Sequence, residues 1–320
     1  MESPPLGVRE ILGLTADAPR QAWLAVRGGG GLPPSRFGTS SLRVFTPRLG
    51  VATWLGRRLL GRSVPVVNLF NRTPTPEAEG WSVRVTQVRD FRGRGLTYDS
   101  HNGTDFVVPP GTVVVASAPG RVASRRSEYN RGGLKLYVDH GGGLMTTYHH
   151  LGRTLIDVGA DVARGQPIAL SGYSGLDALV SFPWVAPHVH YNVIHGGVLV
   201  DPFAAPGEAS LWATGDNAPR PAAAPGGRAA FTRFDPATVA QLEDDLRDDA
   251  ARERLAAVED PWRRAWELTI ESVTYPTRFR TAQAGRLAAG TAQRQPTIDL
   301  PFHAEDFDGI AFADDAGLRA

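Results

Sequence analysis

A chain of 320 residues with a formal charge of +1 has room for one large domain or two modest ones, and its charge gives no argument for nucleic acid or an anionic membrane as partner. It contains no cysteine, which excludes disulfides, thiolate zinc sites and a cysteine nucleophile, so any metal has to be held by histidine and carboxylate. The opening MESPPLGVREILGLT lacks a basic stretch followed by an apolar one, so no signal peptide is read there, and no apolar run reaches the roughly 20 residues that span a bilayer.

Residues 1–80 carry little pattern. GGGGLPP at 28–34 reads as a flexible break, GVATWLGRRLLG at 50–61 as a buried or amphipathic helix interrupted by two arginines, and TPTPEAEG at 73–80 as a loop. From 81 to 203 the texture changes. WSVRVTQV, GTVVVASAPGRVAS, LKLYVDHGGGLMTTYHHL, QPIALSGYSG and HVHYNVI are short β-rich runs separated by Gly, Pro and Asp turns, which predicts a mainly β sandwich or barrel. Residues 204–230 are rich in Ala, Pro and Gly and read as a linker.

The stretch 231–320 turns helical. Asp235-Pro236 and Asp260-Pro261 each place a capping aspartate before a proline at the first helical position. Val239, Leu242 and Leu246 follow the first at helical spacing, and Trp262, Trp266 and Ile270 follow the second. A helical extension packed on the β unit or on a partner is expected, with its acidic and arginine runs as a solvated face.

Chemistry concentrates in the histidines. In SHNGTDF, His101 and Asp105 lie four apart with Gly103 between them to permit a tight backbone, and imidazole plus carboxylate suits zinc. In TYHHL, strand alternation puts Tyr148 and His150 on one face and His149 on the other. In HVHYNV, His188 and His190 stand on one face of a strand, about 7 Å apart. A catalytic zinc takes three protein ligands and keeps a fourth position open. His101, Asp105 and one of the later pair supply three, leaving His150 and the other imidazole free for proton transfer. HExxH is absent, so the base falls to histidine, whose ordinary pKa near 6.5 suits the task.

Taken in order, H-x-G-x-D (His101–Asp105), V-x-A-x-x-x-G-x-V (Val114–Val122, with Ala116 and Gly120), Y-x-H-L (Tyr148–Leu151), G-x-x-V-x-x-G-Q (Gly159–Gln166), H-x-H (His188–His190) and a closing V-D-P at 200–202 resemble the LytM/lysostaphin-type zinc metallopeptidases over about residues 90–203. The resemblance implies a groove on an antiparallel β-sheet with one zinc per chain, and hydrolysis of peptide bonds in peptidoglycan cross-bridges or stems. It implies His101, Asp105 and His190 as zinc ligands and His150 and His188 as catalytic imidazoles. Peptidoglycan lies outside the cytoplasm, so a periplasmic or secreted location is implied as well.

Departures from the family pattern are specific. Thr104 replaces an aliphatic residue, and His149 stands where a small residue is usual and is expected to face away from the metal. Asn192 replaces a glutamate and Tyr191 a phenylalanine; Tyr148 or Asn192 is expected to orient the catalytic groups. The segment GYSGLDALVSFPWVAP before His188 is longer than usual, and Phe182, Pro183 and Trp184 are candidates for a lip on the groove. His140, in D-H-G, reads as a hydrogen-bonded turn residue. Residues 1–80 are a candidate inhibitory cover. Carrier domains share parts of this pattern but need a lysine at a hairpin tip, whereas Lys135 lies in the strand LKLYV. A catalytically inactive wall-binding or hydrolase-activating module of the same fold is the alternative function, although such modules lose ligands and here all five positions are filled.

Overall fold

A computed structural model describes residues 4–29, 33–75, 80–281 and 293–319. Among the described residues eleven strands form one sheet: β1 (Ser63–Asn68), β2 (Thr104–Val107), β3 (Val113–Val115), β4 (Gly120–Glu128), β5 (Gly133–Asp139), β6 (Leu144–Thr154), β7 (Asp161–Val162), β8 (Pro167–Ser171), β9 (His188–His195), β10 (Val198–Val200) and β11 (Gly309–Phe312). The main order is β11-β1-β2-β9-β6-β5-β4-β7, with β10 on β9 and the β3–β8 pair joined through β6. Neighbours run antiparallel except β1 and β11. The core is therefore mainly β, with helices gathered toward the C-terminal part.

Alternation along β9 places the site. Val189, Tyr191 and Val193 enter the main hydrophobic core beside Phe106, Leu136, Tyr148 and Trp212. His188, His190 and Asn192 therefore fall on the opposite face. Asp105 of β2 pairs with His190, and Thr147 of β6 with Asn192, so three strands bring their polar side chains to one surface.

That face is covered at both ends. At one end α3 (Pro47–Trp54) lays Leu49 against Val67, Val107 and Ala186. At the other, α7 (Pro261–Thr274) packs Trp266 and Ile270 on Tyr137, Met145 and Ile194. The C-terminal helices begin as their sequence signals direct. Asp235 accepts from Ala237 and Thr238 at the start of α5 (Pro236–Asp245), and Asp260 accepts from Trp262 at the start of α7. A third helix, α6 (Asp249–Ala256), is capped in the same way by Asp248.

Three stretches differ from their sequence reading. WSVRVTQV forms only an isolated bridge at Ser82, because its amides go to side chains instead of a strand: Ser82 N–H donates to Ser100 Oγ and Thr86 N–H to Asp99 Oδ1. The Ala/Pro/Gly stretch 204–230 is tied down, with Leu211 and Trp212 fully buried and bridges from Trp212 to Ile298 and from Pro221 to Leu300. The sheet also takes in residues on both sides of 81–203, through β1 and β11. The β1–β11 pairing joins segments over 200 residues apart, and no local pattern announces it.

A bulge in β6 decides which histidines share a face. Leu136 pairs with Tyr148 and Leu134 with Leu151, so two residues of β6 oppose the single Lys135. His150 absorbs the bulge at φ +57°. Tyr148 and Leu151 both reach the core, and His149 and His150 both turn to the histidine face.

Candidate metal and catalytic centre

His101, Asp105 and His190 converge. His101 Nε2 lies 3.0 Å from Asp105 Oδ1 and 3.1 Å from His190 Nδ1, and the latter two are 2.7 Å apart. All three residues are buried. Their outward atoms are already engaged. His101 Nδ1 donates to the Leu69 carbonyl at 2.7 Å, and Asp105 Oδ2 accepts from Asn68 Nδ2 at 2.7 Å. Asn102 Oδ1 faces His190 Nε2 at 3.3 Å and Asn192 Nδ2 at 3.2 Å, which makes Nε2 the protonated nitrogen of His190. What remains at the centre is three lone pairs, one from the carboxylate and one from each imidazole. Acceptors that close and that buried repel one another unless a cation or a proton sits among them. Ligand atoms of a tetrahedral zinc, at ~2.0–2.1 Å from the ion, stand about 3.3 Å apart. The donor set and its spacing thus fit zinc, with the partners of His101, Asp105 and His190 fixing each ligand's orientation.

Burial alone would raise the Asp105 carboxyl, but the imidazoles of His101, His188 and His190 packed against it hold it well below the usual carboxylate range, so it stands as a carboxylate. Burial lowers His190 to about 4, against the opposing pull of Asp105. His190 is therefore neutral at pH 7, as a ligand must be.

Two further imidazoles stand over this centre. His188 Nδ1 donates to the Ala186 carbonyl at 2.8 Å, leaving Nε2 toward Asp105 Oδ1 at 3.6 Å. His150 Nδ1 donates to the Ser174 carbonyl at 2.8 Å, leaving its Nε2 toward the cleft, 4.0 Å from Asp177 Oδ2. The two ring centres are 5.0 Å apart. Burial, and then the neighbouring His188, lower the pKa of His150, so its Nε2 carries a lone pair at neutral pH. His140 is held between the Pro119 carbonyl and Thr146 Oγ1 at a turn, away from the centre.

The remaining sequence candidates divide. Asn192 lies on the histidine face beside Asn102 and His190. Tyr148 and Tyr191 do not: both rings are in the core, where Tyr148 Oη accepts from Ser117 N–H and Tyr191 Oη donates to Ser117 Oγ. The expectation that Tyr148 orients the reacting groups is corrected by its register, since it pairs with Tyr191 and shares that core face. His149, expected to face away, follows by plain alternation onto the histidine face, 5.1 Å from the His190 ring, and the bulge turns His150 to the same side. Trp184 is half-exposed and sits toward α3, its carbonyl accepting from Thr46 N–H and Phe182 resting on Trp54. The helix just before it, α4 (Leu176–Ser181), supplies the lip instead, with Leu176, Asp177 and Val180 at the cleft.

Several contributors are illegible in the sequence. Tyr98 lies with its ring 4.6 Å from His101, and the ring of Tyr173 is 5.0 Å from His188. Asn68 comes from β1, far outside the motif. Only Asn102 stood inside a recognisable pattern. Opposite α4 the cleft is walled by Phe37, Trp81 and Val83.

A β-sheet groove thus carries a His/Asp/His cluster that could hold a metal ion, with two flanking imidazoles. Residues 99–202 match the model of peptidase family M23. Similarity to named relatives covers about a third of the chain. The chain is 40% identical over 97 residues to peptidoglycan DD-endopeptidase ShyA of Vibrio cholerae, covering 30% of this chain and 21% of that protein. It is 38% identical over 105 residues to an uncharacterized metalloprotease of Haemophilus influenzae, covering 32% and 20%. Murein hydrolase activator EnvC of Escherichia coli is 37% identical over 114 residues, covering 35% and 23%. The chain thus spans about a fifth of the length of these relatives. Among solved structures, a zinc containing peptidase from Vibrio cholerae aligns with TM-score 0.32 at 27% identity, covering 44% of this chain and 38% of that one. The catalytic domain of lysostaphin from Staphylococcus simulans aligns with TM-score 0.27 at 28% identity, covering 30% and 68%.

Proposed function

We propose that this chain is a zinc-dependent endopeptidase that hydrolyses peptide bonds of bacterial peptidoglycan cross-links, acting outside the cytoplasm where that polymer lies. The observation that carries the reading is the convergence of three lone pairs from His101, Asp105 and His190 beneath two imidazoles anchored through Nδ1, with no hydrogen bond made by either Nε2 among the described residues. The family match at 99–202 and the peptidoglycan DD-endopeptidases among the relatives support the substrate class.

Zinc on those three residues would supply polarisation of the scissile carbonyl and a water of lowered pKa. The protein's own groups do the rest. His150, neutral and anchored by Ser174, takes up a proton at Nε2 and returns it to the departing amine. His188, anchored at Nδ1 by Ala186, donates from Nε2 to the oxygen that gains charge in the transition state when that nitrogen carries a proton. Asn102 and Asn192 hold His190, and Asn68 holds Asp105, so that neither ligand turns.

The test pairs zinc content, on protein purified without chelators, with mass spectrometry of purified muropeptides. One zinc per chain and a chelator-sensitive new peptide terminus are expected. Absence of bound zinc would sink the catalytic reading and leave a wall-binding module.

A further inference from the structure

The cleft beside the metal cluster carries an arginine that no carboxylate among the described residues pairs with, while Asp177 lines the same cleft from α4. Arg131 lies in the turn between β4 and β5 and lines the cleft together with His149, His150 and His190. Its guanidinium is 5.0 Å from the centre of the Trp81 ring and 5.8 Å from that of Tyr275. Among the described residues no carboxylate comes within ion-pair distance of it. Its basic neighbours are all matched: Arg126 pairs with Glu267 and Glu271, Lys135 with Glu128, and Arg278 with Glu271. A guanidinium braced by aromatic rings is held in place while its hydrogen-bonding edge stays free, the arrangement suited to bidentate capture of a carboxylate.

The turn that carries Arg131 is joined to the reacting groups. The Gly132 carbonyl accepts from His150 N–H at 2.8 Å. A Cβ on Gly132, which has φ +74°, would come within 2.8 Å of His149 Nδ1. Arg131 therefore stands at a fixed distance from the bulge that sets His149 and His150. A ligand bound to it is registered against the catalytic imidazoles.

We propose that Arg131 is a specificity-determining residue that seats a carboxylate of the peptide substrate, so that the cleft selects acidic peptides. This rests on the reading of the cleft as the peptide-binding groove of the proposed endopeptidase. The step is recognition alone, with no bond made or broken at Arg131.

The probe is the cross-linked peptide dimer released from bacterial peptidoglycan, used with its carboxylates free or converted to amides with carbodiimide and ammonia. Binding by calorimetry and turnover are measured separately on the full chain, loaded with zinc. Wild type should bind the free acid about tenfold or more tighter than its amide. Arg131→Gln should remove that preference and raise KM for the acid with kcat little changed, leaving the amide unaffected. Arg131→Lys, which keeps the charge but not the fork, should restore part of the preference and controls for folding. Equal binding of acid and amide by wild type, or an unchanged preference in Arg131→Gln, overturns the proposal. If wild type shows the Arg131-dependent preference but cuts neither peptide, the endopeptidase reading fails and the carboxylate site stands.

Discussion

His101 Nε2 and His190 Nδ1 face each other across 3.1 Å, each with its ring proton committed elsewhere, to Leu69 and to Asn102. Asp105 Oδ1 closes the triangle. An ion binding there relieves a repulsion that the folded protein otherwise carries, so zinc should act as a stabilising ligand. At a free concentration a hundred times its Kd it adds about 2.7 kcal/mol. Thermal unfolding with zinc and then with chelator measures this, and a wild type indifferent to both would contradict the site. Asp105→Asn separates repulsion from binding. Its amide can donate to the two imidazole nitrogens while its oxygen keeps Asn68. It should lose the zinc response yet remain, metal-free, within about 1 kcal/mol of the metal-free wild type or above it.

His150→Ala and His188→Ala remove groups that do not belong to the triangle. Both variants should bind one zinc and lose about 10²–10⁴-fold in turnover. Metal analysis and peptide cleavage on the same preparations check this. Wild-type turnover in either variant would reassign its role.

How far these residues were legible follows from the range of the interactions that place them. Alternation in HVHYNV was enough to set His188 and His190 on one face and Tyr191 on the other, because a strand has one period and β9 keeps it throughout. Alternation failed in TYHHL, where the β6 bulge depends on contacts made by Gly132 and Ser174, neither of them nearby in sequence. The capping aspartates at 235 and 260 were readable because a cap is a local device. Asn68, Trp81 and Arg131 were not, since only the packing of distant segments brings them to the cleft.

Gly103 shows how a motif residue can be required for a reason other than backbone strain. A Cβ there would stand 2.2 Å from Asn192 Oδ1, 2.6 Å from the Tyr191 carbonyl and 2.9 Å from His190 Cε1. The carbonyl belongs to the β9 backbone and cannot swing aside, so the glycine of H-x-G-x-D exists to let β9 and its histidines approach. Gly103→Ala should cost about 1–3 kcal/mol by overpacking and weaken zinc binding as His190 shifts. Denaturant unfolding and zinc titration read the two effects. A variant with both unchanged would show that the strands have room.

The buried Lys135 explains how the C-terminal helices are fastened under the cleft. It is almost fully buried in β5 and pairs with Glu128 at the end of β4, beside Arg126, which reaches Glu267 and Glu271 of α7. Burial would raise Glu128, but Lys135 and Arg126 outweigh it and bring its pKa down to about 2 from 4.5. A carboxyl depressed on folding stabilises most above its unfolded pKa. The unfolded chain takes up the proton first as pH falls, so the contribution erodes below about 4.5 and is gone below about 2. The shift corresponds to on the order of 2–3 kcal/mol. Glu128→Gln should be less stable than wild type at pH 7, and the gap should narrow steadily on acidification from pH 5 to pH 2. Lys135→Met leaves the carboxylate with Arg126 alone and should cost about 2–4 kcal/mol at pH 7. Urea unfolding of the three proteins across that pH range tests the account: parallel loss of stability in wild type and Glu128→Gln would mean that Glu128 does not drive the acid sensitivity.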